Sequence, residues 1–71
     1  MFVIASKNDM VVSEYYEDLE SEQEARTLLA SRAMEKLGLD LAHAGWQFDV
    51  LSETPEGFSS AFSFYPGNLK Y

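Results

Sequence analysis

One helix signal stands between two pairs of strand-like segments, and this arrangement limits the fold more than any other feature of the chain. Ser21 opens a capping box, in which its side chain accepts from the backbone N–H of Glu24 while Glu24 reaches back to Ser21. Helical periodicity continues to Leu37, and Gly38 supplies the left-handed residue on which many helices end. We therefore predict a helix from about residue 22 to residue 37. Its predicted apolar face consists of Ala25, Leu29, Ala30, Ala33, Met34 and Leu37.

Ahead of the helix, two short segments have the composition of a β-hairpin. Residues 2–6 form an apolar run with β-branched members, and Lys7-Asn8-Asp9 is typical of a turn. Residues 10–17 read as a second strand, in which Val12, Glu14 and Tyr16 share one face and the intervening residues share the other. Because both faces mix apolar and acidic residues, we expect this strand to lie at a sheet edge or to be half covered.

After the helix, residues 46–50 and 58–65 each alternate between apolar and polar positions. Thr54-Pro55-Glu56-Gly57 has turn chemistry, so the two segments predict a second hairpin. The first segment places Trp46, Phe48 and Val50 on one face, and the second groups Phe58, Ser60, Phe62 and Phe64.

The predicted architecture is α+β, in the order β-β-α-β-β, with a four-stranded antiparallel sheet and the helix packed on one face. The other face is expected to be solvated or to bind a partner, and the order of the strands is left open. Residues 1–71 are predicted to form a single domain, with residues 66–71 as a frayed tail.

The size and composition of the chain exclude several classes of protein. With 71 residues and no cysteine, it has neither a disulfide framework nor thiolate ligands for zinc, and its core must come from packing alone. Aromatic residues make up 14% of the chain, which is not the composition of a disordered acidic tail. No signal-peptide pattern and no apolar run of membrane-spanning length occurs, so we expect a cytoplasmic protein.

The net charge of −7 is concentrated ahead of the helix. Seven acids and no base lie between Asp9 and Glu24, whereas five acids and five bases cancel in the rest of the chain. A one-signed surface attracts cationic partners and repels nucleic acid and anionic lipid. The predicted partner-binding residues are Glu14, Tyr15, Tyr16, Glu17, Asp18, Glu20, Glu22 and Glu24. The competing interpretation is a solvated face, because acids near a helix N-terminus are favoured by the helix dipole.

The sequence offers no catalytic or metal signature, and we predict neither cofactor nor metal nor enzymatic activity. His43 is the only histidine, with no cysteine to complete a zinc site and no nucleophile motif nearby. It is interpreted as a loop residue, and a small enzyme working through His43 is kept as a third hypothesis. Arg26 is interpreted as a local partner of Glu22, four residues earlier on the same helix.

The leading functional hypothesis is a non-catalytic module that docks its carboxylates on a basic surface of a partner protein. Its most concrete form is an inhibitor that occupies a nucleic-acid-binding groove without binding nucleic acid itself. The small size, the absence of cysteine and the acidic face are similar in kind to phage-encoded inhibitors such as anti-CRISPR and anti-restriction proteins. The alternative is a structural or regulatory homo-oligomer, for example a homodimer, that associates through the open sheet face.

Overall fold

The computed structural model describes residues 1–43 and 45–65, and the predicted frayed tail at 66–71 lies outside the described residues. The elements are β1 (Phe2–Lys7), β2 (Met10–Tyr15), α1 (Glu22–Leu37), β3 (Gln47–Leu51) and β4 (Ser63–Tyr65). The four strands form one antiparallel sheet against which α1 packs. The predicted α+β architecture and element order are confirmed.

The first hairpin is also confirmed. β1 pairs with β2 from Phe2 opposite Tyr15 to Lys7 opposite Met10. Asn8 in the turn has φ 55°, a left-handed conformation that asparagine tolerates better than most residues. Turn chemistry and strand alternation therefore agree over this part of the chain.

The helix begins and ends where its capping residues predict. The Ser21 hydroxyl accepts from the backbone N–H of Glu24 at 3.2 Å. The Glu24 carboxylate reaches one residue further back than a standard capping box, and accepts from the N–H of Glu20 at 2.8 Å. At the other end, Gly38 has φ 70° and donates its N–H to the carbonyl of Met34 at 3.0 Å.

The strand order is β3-β1-β2-β4, which places β2 inside the sheet. Of the two alternatives expected for β2, an edge position or half coverage, the edge position is therefore wrong. Its mixed faces have another cause, since Ser13 is fully buried on one face and the acidic Glu14 on the other is met by an arginine of α1.

The predicted second hairpin does not form. β3 pairs with β1 at one edge of the sheet, while β4 pairs with β2 at the opposite edge. The turn chemistry is present, with Gly57 at φ 92° and the Phe58 N–H bonded to the Pro55 carbonyl at 3.1 Å. However, it lies within residues 52–62, which connect the two edges, and the predicted strand at 58–65 is reduced to its last three residues. Alternation of apolar and polar residues indicates which side chains share a face of a strand, but it does not indicate which other strand lies beside it.

The main core lies between α1 and one side of the sheet, here called the helix-facing side. Three small or medium residues of the helix are fully buried against it: Ala25, Leu29 and Ala33. The sheet contributes Val3, Ala5 and Val12, and the connector after the helix contributes Leu41. Met34, predicted on the apolar face, is instead 51% exposed.

The opposite side of the sheet is covered at one end. Phe2 is fully buried there, and its ring stacks on that of Phe58 with centroids 5.8 Å apart and an interplanar angle of 19°. Phe64 faces the helix, because it lies opposite Val12, so the aromatic residues predicted to share one face are divided between both sides. Residues 52–62 thus occupy part of the sheet face that was expected to be open.

Candidate functional site

Five of the predicted binding residues lie together on the exposed connection between β2 and the first turn of α1. We call this group the acidic segment, and it consists of Glu17, Asp18, Glu20, Glu22 and Glu24, all of them exposed. Asp18 has φ 61°, a left-handed conformation that turns the chain between strand and helix. Five carboxylates within eight residues therefore reach solvent along this connection and the helix turn that follows it.

The fold itself holds part of this segment in place. The first backbone N–H groups of α1 carry the positive end of the helix dipole, which favours the negative charges of Glu22 and Glu24. The Glu24 carboxylate also binds the Glu20 N–H, so its position is fixed relative to the segment. These two interactions therefore offset part of the repulsion among the carboxylates, and an unstructured chain would lack both of them.

Cations neutralise little of the acidic segment among the described residues. Arg26 approaches Glu22 to 4.0 Å, at the limit for a salt bridge, and both side chains are largely solvated, with exposed fractions of 43% and 64%. This contact confirms Arg26 as a local partner of Glu22, but exposed pairs of this kind are weak. The segment keeps a strongly negative net charge.

Glu14, also predicted as a binding residue, lies apart from this surface. It is opposite Val3 in the sheet, on the helix-facing side. Arg32 of α1 donates to both of its carboxylate oxygens, from Nε at 2.9 Å and from Nη2 at 3.1 Å. The Glu14 side chain is 14% exposed. It therefore joins helix to sheet and is not available to a partner.

The two predicted flanking tyrosines point to opposite sides of the sheet and are both half-buried. Tyr16 packs against the core beside Glu14 and Arg32, and its buried hydroxyl has no hydrogen-bond partner with acceptable geometry. Burial, followed by the negative charge of Glu14, raises the pKa of Tyr16 well above its ordinary value. Tyr16 is thus a packing residue, and Tyr15 lies on the side that carries Phe2.

A groove that the sequence interpretation missed lies between α1 and the edge strand β3. Its volume is about 290 Å³, and its lining consists of Gln23, Arg26, Thr27, Ala30, Ala42 and Phe48. The buried Nε of Arg26 has no hydrogen-bond partner. The available signal in the sequence was the small size of Ala30 on the predicted apolar face, which leaves space that larger side chains would fill.

The remaining candidates show no built site. His43 is exposed, and its N–H binds the Asp40 carbonyl at 3.2 Å in a local turn. Within residues 1–43 and 45–65, no three His, Asp or Glu side chains are grouped to hold a metal ion. Over the same residues, no helix has both the length and the apolar character needed to cross a bilayer.

Comparison with known proteins gives no relative: no protein-family model matches the chain, and neither does any curated protein or solved structure.

Proposed function

We propose that this protein is a non-catalytic binding module that docks the acidic segment on a basic surface of a partner protein. The observation that carries the proposal is the set of five exposed carboxylates between Glu17 and Glu24, opposed by a single weak contact from Arg26. Ordinary solvated surfaces intersperse charges of both signs. A one-signed patch accelerates association with an oppositely charged partner and makes the complex sensitive to salt.

In its most specific form, the partner is a nucleic-acid-binding protein and the module is an inhibitor of the phage-encoded kind. Nucleic acids present regularly spaced negative charges, and their binding grooves are lined with lysine and arginine. Glu17, Asp18 and Glu20 in the connection, with Glu22 and Glu24 in the first turn of α1, offer such a groove a cluster of anions. The acidic segment replaces the full predicted set in this proposal, because Glu14 is paired with Arg32.

Association through the open sheet face is the weaker alternative. Phe58 covers Phe2 on that face, and residues 52–62 cross it at one end, which leaves less apolar surface for a second copy.

The decisive experiment compares two variants with the same change in charge. Glu17→Lys/Glu20→Lys alters the acidic segment, whereas Glu53→Lys/Glu56→Lys alters exposed acids in the connection between the sheet edges. We expect the immobilised wild-type protein and Glu53→Lys/Glu56→Lys to retain the partner. Glu17→Lys/Glu20→Lys should not retain it. Increasing salt should weaken the retained complex, and DNA or RNA should compete with it when the purified partner binds nucleic acid.

Equal loss of binding in both variants would show a response to net charge alone. Full retention by Glu17→Lys/Glu20→Lys would remove the acidic segment from the interface and end the proposal. Thermal unfolding of all proteins checks that the substitutions leave the fold intact, which we expect because the substituted side chains are exposed.

A further inference from the structure

The edge strand β3 has one side that pairs with no other strand of residues 1–43 and 45–65. It is bonded to β1 along one side and is the last strand of the sheet on the other. No backbone hydrogen bond from the loops, turns or caps of the described residues reaches residues 47–51. A free edge of this kind presents N–H and C=O groups to which another strand can add.

The groove between α1 and β3 lies beside this edge. Phe48 contributes to the groove from β3, while Thr27 and Ala30 contribute from the helix. Side chains of an added strand alternate between the two sides of the sheet, so every second one would enter the helix-facing side next to this groove. The edge and the groove together form a surface for an extended segment that carries apolar residues at alternate positions.

The sequence of β3 itself has this pattern. Phe48 and Val50 are on the helix-facing side, opposite Ala5 and Val3 of β1, whereas Gln47, Asp49 and Leu51 are on the opposite side. We propose that β3 pairs antiparallel with β3 of a second copy of this chain. The product is a continuous eight-stranded sheet related by a two-fold axis, the symmetry that self-complementary interfaces have.

Charge and side-chain facing favour a register centred on Phe48 over the neighbouring one centred on Asp49. A two-fold axis perpendicular to the sheet places the helix-facing sides of both copies on the same side of the joined sheet. Phe48 must therefore lie opposite a helix-facing residue of the second copy. A register centred on Asp49 places two carboxylates directly opposite each other, which is unfavourable. A register centred on Phe48 places the two Phe48 rings together, Trp46 opposite Val50, and Gln47 opposite Asp49 of the second copy. This register pairs apolar with apolar side chains and an amide donor with a carboxylate.

The test uses Gln47, which is exposed in the single chain and therefore contributes little to its stability. Sedimentation equilibrium at concentrations up to about 1 mM detects even weak dimers. We expect the average mass of the wild-type protein to rise with concentration in this experiment. Gln47→Lys creates two symmetry-related pairs with Asp49 and should tighten the dimer by about two-fold to thirty-fold, while Gln47→Glu should weaken it similarly.

Charge controls come from Ser31→Lys and Ser31→Glu, at an exposed position of α1 that does not line the groove. They change the net charge equally and should not reproduce the effects at Gln47. Because each chain carries −7, added salt should favour the dimer, the reverse of its effect on docking of the acidic segment. A strict monomer over the whole concentration range, or equal responses at Gln47 and Ser31, would overturn the proposal.

Cross-linking tests the register, since the chain has no cysteine of its own. Opposed residues in antiparallel strands lie within the distance that a disulfide spans. On oxidation of a mixture of Gln47→Cys and Asp49→Cys chains, we expect disulfides between the two variants to dominate. Predominant linkage of Asp49→Cys chains to each other would show the other register and overturn this one.

Discussion

Glu14 of β2 and Arg32 of α1 form a bidentate ion pair that connects an inner strand of the sheet to the helix. Arg32 Nε and Nη2 lie 2.9 and 3.1 Å from the two carboxylate oxygens of Glu14. The carboxylate is enclosed, whereas 37% of the arginine side chain remains exposed. The guanidinium also lies 5.8 Å from the centroid of the Phe62 ring, within the range of a cation–π interaction. Arg32 therefore contacts both β2, through Glu14, and the segment that leads into β4, through Phe62.

Removal of this arginine should destabilise the protein. In Arg32→Ala, the Glu14 carboxylate remains enclosed without its partner, and an unpaired enclosed charge is unfavourable. We expect a clear loss in the free energy of unfolding, measured by urea denaturation. Arg26→Ala provides the comparison, because its exposed 4.0 Å contact with Glu22 should contribute little. Similar losses in the two variants would contradict a special role for the Glu14–Arg32 pair.

Stability should fall at alkaline pH because of Tyr16. Its pKa is raised in the folded protein, so between the ordinary value of 10.0 and the raised value the folded state binds more protons than the unfolded state. The stability contributed by this group is complete below about pH 10 and is lost as the pH rises toward the folded pKa. Urea denaturation between about pH 7 and about pH 11.5 should show a smaller decline in the free energy of unfolding for Tyr16→Phe than for the wild type.

Tyr16→Phe should also leave the stability at neutral pH unchanged or slightly higher. The hydroxyl is buried beside Glu14 without good hydrogen-bond geometry, and that carboxylate is already paired with Arg32, so removal of the hydroxyl costs at most a weak contact and relieves a desolvated polar group. Tyr15→Phe is the control, and an equal change in its alkaline profile would exclude Tyr16 as the cause.

The ring of Phe58 should stabilise the fold by covering Phe2. Phe58→Ala removes a stacked aromatic contact and uncovers a fully buried ring. Because Phe58 is itself 37% exposed, we expect a loss of about 1–3 kcal/mol, below the range for a fully buried phenylalanine. Phe58→Leu should recover part of it in urea denaturation, and no loss in Phe58→Ala would show that residues 52–62 contribute little to the opposite side of the sheet.

The helix cap offers a local prediction. Ser21→Ala removes the acceptor for the Glu24 N–H and should lower the free energy of unfolding by about 0.5–2 kcal/mol. Ser21→Asp should retain most of the stability, since aspartate is an equally good cap. Ser31→Ala, on the same helix but without a capping role, should have little effect, and a comparable loss there would contradict the assignment.

Local chemistry made part of this fold predictable from sequence. The helix limits follow from Ser21 and Gly38, whose preferences are expressed within a few residues of the chain. The first hairpin follows from a short turn between two strand-like segments, which leaves little choice of partner. In the candidate site, exposure of the acidic segment was predictable because five carboxylates cannot be buried without partners.

Long-range pairing accounts for what the sequence did not reveal. The turn at residues 54–57 exists, but it does not decide that β4 pairs with β2 and β3 with β1. Similarly, alternation placed Glu14 beside Val12 without showing that an arginine eighteen residues away would meet it. The neighbouring apolar residues Val12 and Tyr16 were a signal that Glu14 faces the helix.

The sheet order has a consequence for synthesis of the chain on the ribosome. Both outer strands come from residues 47–65, so a nascent polypeptide that ends after α1 contains only the two inner strands. Without residues 47–65, both edges of this hairpin are free to pair with strands of other chains. A truncated chain that ends after α1 should therefore aggregate more readily than a chain that includes residues 47–65.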